Sequence, residues 1–271
     1  MFGFGATEET GMGRIATAQR WAKHSGIRPV AEVAGSWITA KIAPGWIHRN
    51  SAPTVRDFLG MSSPFATSSQ VFLERLGWSA ADIAILVDEY KEIQERLTRQ
   101  YKSTTLALPL RFGVERETGF FLYAATRLTK PQKVVETGVA DGRSSFIFLA
   151  ALERNGGGLL HSFDINSKAG GLVRAHDQWH LKISDPTAPE LSFIQSLLKL
   201  GKVDFFFHDS DHRYLGQLLE YDFVWPRMRA GGLFASDDVD VSKAFLDFCR
   251  RHAQRPEFLF DSRKITGALR I

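Results

Sequence analysis

The stretch from Val203 to Val239, VDFFFHDSDHRYLGQLLEYDFVWPRMRAGGLFASDDV, constrains this chain more than any other. It reads as a buried strand, a crossover helix and a second buried strand. A right-handed crossover makes the two strands parallel, so both carboxyl ends lie on one edge of the sheet. Asp209 ends the first strand and the pair Asp237–Asp238 ends the second. Adjacent strands sit roughly 4.8 Å apart. Three carboxylates at that spacing can converge as a hard divalent cation requires. His212 follows Asp209 by one helical step and is placed to act as a base beside such an ion. Asp211 and His208 compete for the same roles, although His208 lies inside an apolar run and reads as a core histidine. Asp209 as a helix cap and Asp237–Asp238 as a solvated loop are the plainer alternatives.

Strand and helix patterns alternate through the second half of the chain. Strands are expected at Lys133–Glu136, Leu159–Asp164, Trp179–Ile183, Val203–His208 and Leu233–Ser236. Helices are expected at Glu117–Leu128, Ser144–Asn155, Leu191–Leu200, His212–Met228 and Ser242–His252, with a closing hairpin at Glu257–Phe260 and Ala268–Ile271. The first, fourth and fifth strands are almost continuously apolar, as parallel strands covered on both faces are. The expected fold is therefore α/β, a Rossmann-like doubly wound sheet of about seven strands with a C-terminal antiparallel hairpin.

Residues 1–102 read as a separate, mainly helical region, and 103–271 as the main domain. A helix is expected at Arg14–His24. Another should begin at the capping sequence Ser79-Ala-Ala-Asp82, after which Ile83, Leu86, Val87, Tyr90, Ile93 and Leu97 recur at helical spacing. Trp21, Trp37, Trp46 and Trp78 should anchor this region on the main domain or line a substrate pocket. The region can cap the site, mediate homodimer contacts, or both.

Composition narrows the function classes. The 12 Lys/Arg against 10 Asp/Glu of residues 1–102, and 22 against 20 thereafter, spread a net charge of +4 without a basic block. Nucleic-acid binding, which gathers charge on one face, is not expected. No apolar run approaches the roughly 20 residues of a membrane span. The opening MFGFGATEETGMG does not read as a signal peptide. The lone Cys249 excludes an intrachain disulfide, so a cytoplasmic location is expected.

The glycine-bearing turn VVETGVADGRSS leaves the first strand and enters a helix. Gly138 permits the tight turn and Gly142 a close backbone approach. The next strand ends in Asp164, where a carboxylate can accept hydrogen bonds from ribose hydroxyls, as in dinucleotide folds. This segment resembles the first motif of the class I S-adenosylmethionine-dependent methyltransferases, and HSFDIN resembles their second. Ile183-Ser184-Asp185 is similar to their adenine-edge position, with serine in place of the usual glycine. The resemblance covers about residues 103–271 and implies that S-adenosylmethionine is held by Glu136, Thr137, Gly138, Gly142, Ser144, Asp164, Ser184, Asp185 and Asp209. More narrowly, FFHDSDHRY followed by GGLFASDDV resembles the metal-dependent O-methyltransferases. In the catechol and caffeoyl-CoA types an Asp and an Asp-Asn pair occupy the positions of Asp209, Asp237 and Asp238. In the macrolide-sugar type an Asp-x-x-His pattern matches Asp209 to His212. The catechol type has lysine at the place of His212, and Asp238 stands here for the usual asparagine.

The resemblance implies methyl transfer to a hydroxyl of a small molecule, a natural-product sugar or phenol. Mg²⁺, or Mn²⁺ or Ca²⁺, would be bound by Asp209, Asp237 and Asp238, with His212 as base. A second reading is a non-catalytic or partner-dependent protein of a cephalosporin-hydroxylase-like branch. Fold alone does not separate the two.

Overall fold

The structure is a computed structural model and describes residues 52–271 apart from 63, 174 and 188. The helix expected at Arg14–His24 and the tryptophans Trp21, Trp37 and Trp46 lie outside the described residues. Seven strands form one sheet: β1 Lys133–Thr137, β2 Leu159–Asp164, β3 Trp179–Ile183, β4 Val203–His208, β5 Met228–Ser236, β6 Glu257–Asp261 and β7 Lys264–Arg270. Their order is β3-β2-β1-β4-β5-β7-β6. The first five run parallel, and β7 is antiparallel to both β5 and β6. The order reverses between β1 and β4, which opens a crevice at the carboxyl ends of those strands. This is the expected doubly wound sheet with its C-terminal hairpin.

The apolar strand runs explain why helices cover both faces. Phe205, Phe206 and Phe207 of β4 are all fully buried, and successive strand residues point to opposite sides. The helices in chain order are α1 Val55–Leu59, α2 Ser69–Arg75, α3 Ala80–Ser103, α4 Arg116–Thr129, α5 Arg143–Asn155, α6 Pro189–Leu200, α7 Tyr214–Val224 and α8 Ala244–Arg251. On one side Phe205 and Phe207 meet Phe148 of α5 edge-on, with ring centroids 5.2 and 6.0 Å apart. On the other, Phe206 packs on Phe234 of β5 at 5.0 Å, and Phe234 stacks on Phe248 of α8 at 5.2 Å. Burying such rings contributes about 1.5–3 kcal/mol each.

Helix α3 begins where its capping sequence directs, with the Asp82 N–H donating to Ser79 Oγ at 3.1 Å. Its apolar stripe Ile83, Leu86, Tyr90, Ile93 and Leu97 is buried. Most of that stripe shares one core with Phe72 of α2 and Phe121 of α4. Trp78 packs against this core, and the Arg270 guanidinium lies 4.8 Å over its ring. Ala66 pairs with Leu259 outside β6, through Ala66 N–H to Phe258 O at 2.9 Å and Phe260 N–H to Ala66 O at 2.8 Å. Cys249 is buried, as a small apolar residue would be. No helix among the described residues is long and apolar enough to cross a membrane.

Three elements differ from expectation by more than two residues at one end. Helix α7 starts at Tyr214 and ends at Val224, and Pro226 turns the chain into a 3₁₀ segment, Trp225–Arg227. Strand β5 starts at Met228, ahead of a register shift between Val203 and Phe205 on its β4 partner. Strand β7 starts at Lys264 rather than near 268, because Asp261 already pairs with Lys264 across a tight Ser262–Arg263 turn. That correction brings Lys264 into the sheet.

One half-buried histidine has a measurable consequence. His161 of β2 stacks on His180 of β3 with centroids 5.0 Å apart, and its Nε2 is buried without a partner. Burial, then the neighbouring His180 and Lys133, push its pKa from 6.5 down to about 4. Between those values the unfolded chain takes a proton that the folded chain refuses, so this residue costs stability as pH falls through that window. Replacing His161 with Gln is expected to shift the Tm difference from the parent in the variant's favour on acidification from neutral pH to about 4.5. Thermal melts across pH check this, and a pH-independent difference would contradict it.

Candidate active site

Parallel register brings the strand ends level. Thr137 is paired with Phe163 and His208, and His208 with Ser236. The pattern continues one residue further. Gly138 N–H donates to Phe163 O at 2.8 Å, Asp209 N–H to Thr137 O at 2.7 Å and Asp237 N–H to His208 O at 2.8 Å. Asp164, Gly138, Asp209 and Asp237 therefore leave the sheet in one row.

The glycine-bearing turn is tightly built. Gly138 has φ +81°, and a Cβ there would fall on the Asp209 carbonyl oxygen. Gly142, at φ +91°, faces the Gly170 Cα, which an added Cβ would meet at 3.0 Å. Asp164 ties the turn to β2: its Oδ2 accepts the Val139 and Ala140 N–H groups at 2.8 and 3.0 Å, and Oδ1 accepts Asn166 N–H at 2.8 Å. Three of the roughly four lone-pair sites of that carboxylate are thus used. Asp141, not singled out from the sequence, accepts Ala107 N–H at 2.8 Å and Leu108 N–H at 2.9 Å, which fastens the segment before α4 to the turn.

Glu136 is fully buried. Its Oε2 accepts Ser145 Oγ at 2.5 Å and Ser162 Oγ at 2.7 Å, while Oε1 accepts no hydrogen bond. Burial raises its pKa, and the Ser144, Ser145 and Ser162 hydroxyls oppose that push. Thr137 Oγ1 donates to Glu220 Oε2 at 2.5 Å. Ser184 is buried, and its N–H donates to Asp164 O at 2.7 Å. The Asp185 carboxylate accepts from Thr187 N–H at 2.8 Å in a local turn. Glu136, Thr137, Gly138, Gly142, Ser144 and Asp164 thus gather at the turn, with Ser184 alongside and Asp185 at the periphery.

The acidic cluster lies beyond β4 and β5. One ligand atom each from Asp209, His212 and Asp238 lies within 4.8 Å of the others. His212 Nε2 is 3.2 Å from Asp238 Oδ2 and 3.7 Å from Asp209 Oδ1. Asp237 is outside this group. Neighbouring residues leave a strand in opposite directions, and Asp238 has turned into a left-handed φ of 50°. Asp237 is fully buried: Thr266 Oγ1 donates to its Oδ1 at 2.8 Å and Lys264 Nζ to its Oδ2 at 3.2 Å. Lys264 Nζ also donates to Asp238 Oδ2 at 2.8 Å.

Charge and burial oppose each other here. Burial, and then the Asp237 charge, raise the Asp209 pKa well above the carboxylate range. Burial also raises that of Asp237, against the pull of Lys264. Burial pushes Lys264 down, but Asp237, Asp209 and Asp238 outweigh it and hold its proton more firmly than usual. Burial, followed by His208, lowers His212 to about 4, so its ring is neutral at pH 7. His208 is a core residue, as its apolar strand suggested. It is fully buried, and its Nδ1 lies 2.7 Å from Glu220 Oε2. Asp211 is occupied by the Arg213 guanidinium, at 2.7 Å from NH2. Sequence reasoning missed Lys264, Thr266 and Glu220. Lys264 and Thr266 alternate along KITGALR, which was the available sign that one side of this strand meets polar partners.

Gly138→Ala is expected to lose well over 2 kcal/mol, since it adds left-handed strain of about 1–2 kcal/mol to a backbone clash. Urea unfolding measures this, and a loss below about 1 kcal/mol would mean that the turn relaxes.

Residues 135–239 match the model of a methyltransferase domain. The fold is similar to that of an O-methyltransferase from Bacillus cereus in complex with SAH, at 16% identity and TM-score 0.50, covering 66% of this chain and 90% of that one. It is similar also to a protein of Klebsiella pneumoniae proposed to be an O-methyltransferase, at 18% identity and TM-score 0.50, covering 71% and 97%. No curated protein matches the sequence. Residues 135–239 thus carry a methyltransferase domain, and the fold is that of the O-methyltransferases, as the motifs suggested.

Proposed function

We propose that this methyltransferase domain transfers the methyl group of S-adenosylmethionine to a hydroxyl of a small molecule, a natural-product sugar or phenol. The observation that carries the reading is the His212 imidazole, set between Asp209 and Asp238 on the same sheet edge as the glycine-bearing turn. S-adenosylmethionine supplies a cationic sulfonium methyl. Glu136 fits a cation, because its buried Oε1 lacks any partner. Asp164 retains about one lone-pair site for a ribose hydroxyl, and the backbone of the turn fixes its orientation. As the acceptor oxygen gains the methyl, its proton passes to His212 Nε2. The imidazolium so formed lies 3.2 Å from Asp238 Oδ2, whose charge stabilises it, and 3.7 Å from Asp209 Oδ1. Asp209 and Gly138 meet through backbone, so the segment that carries His212 and the glycine-bearing turn are held in fixed relation.

The sequence also suggested a divalent cation. Asp209, His212 and Asp238 have atoms close enough to share one. They do not fit it with Lys264 in place, because the ammonium is bonded to the same Asp238 oxygen and to Asp237. The proposed proton transfer needs no metal.

Calorimetric titration of S-adenosylmethionine into the full chain tests the reading. Micromolar binding is expected in the parent and in His212→Ala, and binding at least roughly tenfold weaker in Asp164→Asn, the loss of one charge-assisted hydrogen bond. Absence of binding in the folded parent would sink the proposal.

A further inference from the structure

We propose that Lys264 is the fixed cation of the acidic cluster: its ammonium takes the place that a divalent metal would occupy, and the site is assembled without one. The inference deepens the O-methyl-transfer reading and rests on it for the role of the cluster.

The geometry is that of a built counter-ion. Lys264 Nζ lies 2.8 Å from Asp238 Oδ2 and 3.2 Å from Asp237 Oδ2, and its side chain is 9% exposed. Buried carboxylates need a compensating charge and hydrogen bonds, and here strand β7 provides both. Lys264 and Thr266 stand on the same side of β7 and together occupy both oxygens of Asp237. An ammonium has three donors, and two of them are used on Asp237 and Asp238. Asp209 is the carboxylate of the cluster that accepts no charged bond from lysine, which leaves it and His212 facing the acceptor.

A metal and this ammonium exclude each other. A Mg²⁺-like ion binds oxygen at about 2.1 Å. On Asp238 Oδ2 it would lie within about 5 Å of an ammonium that is 2.8 Å from the same oxygen. Like charges at that separation in a largely buried site repel strongly. Asp237, whose oxygens already accept from Lys264 and Thr266, lies outside the group that could share an ion. Lys264 would have to leave, and withdrawing it would leave Asp237 buried without its counter-charge.

Mn²⁺ uptake, read from the electron paramagnetic resonance of the free ion, tests this without any knowledge of the acceptor. The parent and Lys264→Arg are expected to leave millimolar Mn²⁺ free. Lys264→Met, which keeps the bulk and removes the charge, should take up Mn²⁺ in a way that Mg²⁺ competes with. Adding Asp238→Asn to Lys264→Met should abolish that uptake. Tight Mn²⁺ binding by the parent that Asp238→Asn removes would overturn the proposal. So would a folded Lys264→Met that leaves Mn²⁺ free. Should Lys264→Met not fold, the parent and its Asp238→Asn variant decide alone. The same samples are titrated with S-adenosylmethionine. Failure there counts against methyl transfer and leaves the Mn²⁺ result standing.

Discussion

The level register of β2, β1, β4 and β5 is the constraint on which the rest of this structure depends. Three backbone hydrogen bonds, from Gly138, Asp209 and Asp237 to the preceding strand ends, carry the pairing one residue beyond the sheet. They set a turn, a carboxylate and a second carboxylate side by side. Once that row exists, little room remains for variation. Gly138 must lack a side chain because the Asp209 carbonyl lies against it. Asp164 is drawn into holding the turn, so a ligand-facing residue is also a structural one. Residues that serve both purposes are hard to replace, and their loss tests folding and binding together.

Much of this was legible before any coordinates, for a physical reason. Apolar strands that stop at an acidic residue advertise both their burial and their end, so β2 and β4 have the limits expected from sequence. What was hidden depends on contacts between distant parts. Strand β7 was expected only from Ala268, yet it starts at Lys264 and runs through Gly267, where the Phe245 ring lies so close that any side chain would strike it. The expected triad misplaced Asp237 because two adjacent strand residues do not aim at one point. Lys264 could not be assigned at all. Its partners are set by how β7 pairs with β5, and no local pattern reports that register.

The site also shows how a sheet manages acid groups away from water. Asp209 and Asp237 both resist ionisation through burial, and His212 resists protonation for the same reason. Lys264 is the one member whose neighbours win over burial.

The insertion of β7 between β5 and β6 has a consequence for synthesis. Strand β5 is made first, then α8 and β6, and the strand that separates β5 from β6 emerges after both. Until residues 264–270 leave the ribosome, β5 has an open hydrogen-bonding edge and Asp237–Asp238 have no counter-ion. The growing chain therefore holds an electrically incomplete site that can neither close its sheet nor settle its charges. A single strand does both, and makes the maturation of the centre wait on the pairing of β7.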